Sequence, residues 1–175
     1  MPQDSSEFSR GSIDLLKVLM LTGAVVGIIS IFQLWIGVDY IFLQFNYPGY
    51  ELFLRSREYP DSGYFLYLPL LVFIGSAVSV VVSILTFTKH EKKCAAAGLA
   101  LGVFILVSAL LFVFYPESRI MLSDNSGSYV SGVFLMREII GEGTYSAIAA
   151  GIFLIVGGAV ILINRKITSS KEEEE

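Results

Sequence analysis

Side chains able to do chemistry are few in this chain, and they gather in two places. His90 and Cys94 stand four residues apart in TKHEKKCA, a spacing that puts both on one helix face with Glu91 beside them. A structural zinc site wants four ligands, so this trio is incomplete, and a solvated histidine next to a small apolar cysteine accounts for it. Cys94 also borders an apolar run, where cysteine acylation is one available chemistry. The second place is YVSGVFLMREIIGEG, residues 129–143, where Glu138 and Glu142 form an i,i+4 carboxylate pair. General acid–base work needs such a pair converging in a cleft, and two solvated helix charges explain it more simply. No Gly-x-Ser-x-Gly, His-Glu-x-x-His or P-loop pattern occurs. The expectation is a protein that is not an enzyme and takes no metal or other cofactor.

Chemistry is scarce because the chain is apolar. Its mean hydropathy is +0.70 and only 16% of its residues are charged, far from the composition of a soluble domain. Four runs carry no charge at all: 18–38, 62–88, 94–116 and 143–164. Each reaches the roughly 20 residues that a helix needs to cross about 30 Å of hydrocarbon. Backbone groups in lipid must be satisfied within the segment, so the runs are predicted to be helices. The alternating ten-residue segments of an outer-membrane barrel are missing. The predicted fold is therefore an all-α membrane protein, a four-helix tetraspan bundle forming one domain over residues 1–175. Its spans are placed at about 15–37, 63–88, 94–116 and 144–164, with outer loops 38–62 and 117–143, a turn 89–93 and a tail 165–175. Acidic residues dominate the stretch before the first span, unlike a signal peptide, so that span is read as a retained helix.

The turn between spans two and three gives the orientation. Lys89, Lys92 and Lys93 lie there, and four spans put both termini on the same side, with Arg10, Lys17, Arg165, Lys166 and Lys171. The opposite loops hold only Arg55, Arg57, Arg119 and Arg137. The positive-inside rule then predicts a multi-pass protein of the cell membrane with both termini cytoplasmic. All nine tyrosines and the single tryptophan fall on the other side or at the helix ends facing it, where amphipathic rings suit a membrane interface. Outer-face acids exceed bases, which argues against a nucleic-acid partner. The final Glu172–Glu175 run reads as a solvated tail.

Span–loop–span recurs in both halves, and IGSAV (74–78) resembles VGGAV (156–160), a weak trace of duplication. Small residues recur at helical spacing in every span: Gly23 and Gly27, then Gly75, Ser79 and Ser83, then Gly98 and Gly102, then Ala147, Gly151 and Gly158. They let membrane helices approach closely. Two uses remain open: sealing the bundle on itself, or receiving a partner's helix. Gln33 and Pro69 read as structural, the first bound by water or a loop carbonyl, the second giving a mild kink.

In the first outer loop, DYIFLQFNY and the turn at Tyr47-Pro48-Gly49 predict strand structure. In the second, the stretch after SDNSGS predicts an interfacial helix closed by Gly141 and hinged at Gly143. The two loops make a small extracytoplasmic cap, with Trp35, Tyr40, Tyr47, Tyr50 and Tyr129 as a candidate partner surface. This layout is similar to that of claudins and their tetraspan relatives, which share cytoplasmic termini and a strand-rich first loop. Their Trp-Gly-Leu-Trp signature and outer cysteine pair are replaced here by LWIGVDY and no outer cysteine. The resemblance is one of topology and implies neither site residues nor barrier function.

With ionisable groups kept out of the central runs, pumps and ion-coupled transporters are disfavoured. The reading is a non-catalytic membrane protein working through contacts, an accessory, assembly or scaffold subunit, with membrane lipid and another membrane protein or itself as partners. A passive pore or carrier for a small neutral or lipid-like solute is the alternative, and an extracytoplasmic sensor a further one.

Overall fold

A computed structural model describes residues 5–40, 43–55, 64–88, 90–114 and 136–172. In chain order the elements are α1 (Ser5–Ser30), β1 (Leu34–Tyr40), β2 (Leu43–Pro48), α2 (Gly49–Arg55), a 3-10 turn (Tyr64–Tyr67), α3 (Leu68–Leu85), α4 (Glu91–Phe114), β3 (Met136–Ile140) and α5 (Glu142–Glu172). Four helices are long and apolar enough to cross a membrane: α1 from Ile13, α3, α4, and α5 as far as Asn164. Each neighbours two others, in the cyclic order α1–α3–α4–α5, and α5 has its broadest contacts with α4 and α1.

Small residues set how closely these helices meet. A Cβ placed on Gly151 of α5 would lie 2.9 Å from the Gly102 carbonyl of α4, and one on Gly102 would lie 2.9 Å from the Gly151 carbonyl. Seven residues away on both helices, Gly158 faces the Ala95 carbonyl at 2.7 Å by the same measure. The antiparallel pair thus touches backbone to backbone every two turns, the kind of close approach that drives helix association where lipid competes with every apolar contact. Around these points Met20, Ala24, Val72, Ile105, Phe112, Leu154 and Ile161 fill the interior.

Serine and threonine hydroxyls bond within their own helices, Ser79 to the Gly75 carbonyl at 2.7 Å and Ser108 to the Phe104 carbonyl at 2.8 Å. Such back-bonding keeps a hydroxyl satisfied where water is absent. The hydroxyls of Ser76 and Ser83 are buried without a hydrogen-bond partner among the described residues. Ser76 abuts Gly27, where any added Cβ would overlap its hydroxyl.

One end of the bundle carries a three-stranded antiparallel sheet of order β2-β1-β3. In the β1–β2 pair Tyr40 stands opposite Leu43, and β3 adds to the other edge of β1 with Ile36 opposite Ile140 and Tyr40 opposite Met136. Several sequence expectations are corrected here. Span one ends at Ser30 instead of 37, because Leu34 onward pairs as strand. Tyr47-Pro48-Gly49, expected as a turn after a strand, is where β2 passes directly into α2. The interfacial helix expected over 129–143 is replaced at 136–140 by β3, while 129–135 lie outside the described residues. Gly141 follows that strand and Gly143 lies in the first turn of α5, so neither closes nor hinges a separate helix. Pro69 sits at the start of α3, where its missing N–H costs nothing, so it opens the helix instead of kinking it. The tail is helical through Glu172.

Candidate functional site

Among the described residues, Trp35 is the largest side chain that is fully buried. It falls where the β1–β2 register shifts, between Leu34 opposite Pro48 and Ile36 opposite Tyr47. A bulge of this kind re-aims one side chain out of the strand's alternation, and here the indole is fully buried. Its Nε1 donates to the Ser30 carbonyl at the end of α1, at 2.6 Å. Its ring meets Phe112 of α4 edge-on, with centroids 5.0 Å apart and planes at 88°, an arrangement that aromatic quadrupoles favour. Two glycines leave room for it: a Cβ on Gly49 would lie 2.8 Å from the indole nitrogen, and one on Gly143 would lie 2.5 Å from the indole Cδ1.

The Trp35 backbone is fixed as well. Its carbonyl accepts the Gly141 amide at 2.9 Å and the Thr144 hydroxyl at 3.3 Å. Nearby, the Gly49 amide donates to the Gln33 carbonyl at 3.3 Å and the Tyr50 amide to the Ile31 carbonyl at 3.0 Å. Donors at the start of α2 thereby meet carbonyls just beyond the end of α1, satisfying groups that helix termini leave open. One residue therefore ties α1, α2, α4, α5 and the sheet together.

This placement corrects the expected partner surface. Trp35 is fully buried and Tyr47 nearly so, hence neither presents a ring to a partner. Tyr50 is exposed, Tyr40 is the last residue of β1, and Tyr129 lies outside the described residues. All nine small residues singled out for packing, Gly23, Gly27, Gly75, Ser79, Ser83, Gly98, Gly102, Gly151 and Gly158, are buried in the bundle. Gly157, which the sequence reading passed over, is buried too and faces Met20 and the Leu16 carbonyl of α1; its pairing with Gly158 was the available signal. The side-chain oxygen of Gln33 is buried without a hydrogen-bond partner among the described residues.

At the other end of the bundle, His90 is exposed and Cys94 half-buried. Glu138 is in β3 and Glu142 begins α5, so they share no helix face. No group of three His, Cys, Asp or Glu residues close enough to hold a metal occurs among the described residues. What does occur there is an ion pair that sequence alone missed. Lys17 of α1 is buried, with Nζ 3.2 Å from Asp14 and 3.9 Å from Glu91 at the start of α4. It also lies 5.4 Å from the Phe87 ring centroid, within cation–π reach. Glu91 is thus buried in a charge cluster and is not a ligand beside His90. Removing one member of a buried pair strands the other charge. Glu91→Ala is expected to cost ~3 kcal/mol, the lower end for such pairs because Asp14 stays beside Lys17. The double variant Lys17→Met, Glu91→Leu should recover most of that loss in detergent thermal unfolding, and an unchanged melting temperature for Glu91→Ala would show the pair to be idle.

No family of known proteins matches this sequence, and no curated protein matches it.

Proposed function

We propose that this chain is a non-catalytic integral protein of a cell membrane that works through protein–protein contacts, as an accessory, assembly or scaffold subunit. The observation that supports this reading is the Trp35 knot. It holds a small sheet rigidly on the end of the bundle, a platform suited to display instead of turnover. The small-residue faces are consumed by internal packing, which favours a bundle sealed on itself over one awaiting a partner's helix. A partner would then be met on the sheet side, where β2 and β3 are the sheet edges and strand addition is the available mode.

Purifying the tagged full chain in a gentle detergent, followed by native mass spectrometry, tests the reading. A stoichiometric protein partner is the expected result. A clean monomer or homo-oligomer that conducts a small neutral solute in liposomes would replace it with the passive pore or carrier.

Both termini and the 89–93 turn are proposed to face the cytoplasm, on the balance of Lys and Arg. In a Cys94→Ser background, Ser56→Cys and Ser126→Cys should each react with an impermeant thiol reagent on intact cells. Failure of both, with reaction restored on lysis, would reverse the orientation.

A further inference from the structure

Helix α2 is apolar on two sides. Its inner side is buried through Leu52 and through Gly49, which rests on the Trp35 indole. Its outer side shows Tyr50 at 45% exposure and Leu54 at 54%, one helical turn apart. A helix packed on its protein and facing water would put polar groups on that outer side. The neighbours continue the apolar face. Phe32, 65% exposed, has its ring 6.2 Å from Tyr50, and Tyr67, 38% exposed, has its ring 6.0 Å from Phe53 of α2.

These two flanking residues are also the ends of longer rows. Phe32 follows Val18, Val25 and Ile29, all exposed, at the spacing of one face of α1. Tyr67 precedes Leu71, Ile74 and Val78, all exposed, along one face of α3. Helices α1 and α3 are neighbours in the bundle, and both rows lie on helices of membrane-crossing length. If α1 and α3 cross a bilayer, their exposed rows face its acyl chains, and α2 bridges the two rows at their sheet-side ends.

We propose that α2 is an interfacial helix, lodged at the acyl–headgroup boundary of the sheet-side leaflet, with Phe32, Tyr50, Leu54 and Tyr67 as its lipid-contact surface. Continuity with two lipid-facing rows selects lipid over a protein occupant. The tyrosines suit that depth because each joins an apolar ring to a hydroxyl that can stay wet. A helix seated there sinks its apolar surface about 5–10 Å into the boundary. The surface follows from the crossing of the membrane by α1 and α3, and holds whichever partner the sheet meets.

Nitroxide accessibility in the full chain tests this. Leu54→Cys, and separately Tyr50→Cys in case the first misfolds, are made in the Cys94→Ser background, spin-labelled, and reconstituted in phosphatidylcholine liposomes at high lipid-to-protein ratio. Val78→Cys serves as the acyl-chain reference and His90→Cys as the water reference. At both α2 positions, collision with a water-soluble nickel chelate should be several-fold lower than at His90, and collision with oxygen several-fold higher, giving a depth shallower than that at Val78. Nickel access equal to that at His90 would place α2 in water and overturn the proposal. Shielding from both reagents at every lipid dilution would overturn it in favour of a second copy covering the face.

Discussion

Trp35→Ala is expected to detach the sheet from the bundle while leaving the helices formed. Truncating a fully buried large aromatic typically removes about 3–5 kcal/mol. Here the loss also takes the edge-on contact with Phe112 and the indole bond to the Ser30 carbonyl. The long helices satisfy their own backbone bonds, so far-UV circular dichroism should stay strongly helical. What should change is the melting temperature in detergent and the rate of proteolysis between Leu34 and Arg55. Trp35→Phe separates packing from hydrogen bonding: it retains a ring but has no N–H, and a single such bond contributes about 1 kcal/mol. The Gln33 amide still donates to the Ser30 carbonyl at 3.2 Å, so this smaller cost is an upper estimate. A Trp35→Ala protein as stable and as protease-resistant as the parent would refute the knot as the joint between sheet and bundle.

The second large effect belongs to Gly151→Leu. At this crossing the groups in the way are the Gly102 carbonyl at 2.9 Å and the Leu106 amide nitrogen at 3.0 Å from an added Cβ. Backbone cannot rotate aside, so α4 and α5 must part, and their other shared approach at Gly158 and Ala95 parts with them. Overpacking usually costs about 1–3 kcal/mol, and forced separation of two helices takes it to the top of that range or beyond. Gly98 offers a contrast. An added Cβ there meets the terminal methyl of Met20, which swings away on a flexible side chain, and otherwise only Val82 at ordinary contact distance. Gly75 is intermediate, with the Ile105 and Phe104 side chains 3.2 Å away. Detergent melting temperatures for the three leucine variants should therefore fall in the order Gly98, Gly75, Gly151, with Gly151→Leu lowest. The reverse order would mean that small residues in this bundle serve something other than helix approach.

Much of this was legible in the residues. The uncharged runs, the turn between the second and third of them and the positions of the close-packed glycines follow from local rules. A helix in lipid closes its hydrogen bonds inside its own segment, so twenty apolar residues suffice to announce it. The same local reading went astray wherever a partner came from far away in the chain. Met136–Ile140 became strand because β1 was there to pair with it, and its Ile139–Ile140 pair was the modest signal for strand in a stretch whose spacing suggested helix. Glu91 reads in the sequence only as a neighbour of His90 and Cys94, and it is α1 that brings Lys17 beside it.

Trp35 marks the boundary between the two kinds of knowledge. Its sequence position, at the outer end of an apolar run and near tyrosines, fits an exposed interfacial ring, and nothing in LWIGVDY says otherwise. Its burial depends on a bulge in β1, on the end of α4 at Phe112, and on Thr144, 109 positions further along the chain. Sequence alone thus determined that this protein is built of membrane-length helices and where their small faces lie, because those properties are written in single segments. Only the tertiary structure decided which aromatic residues are core and which face outward, because that depends on what each segment meets, and the meeting partners are set by the whole fold.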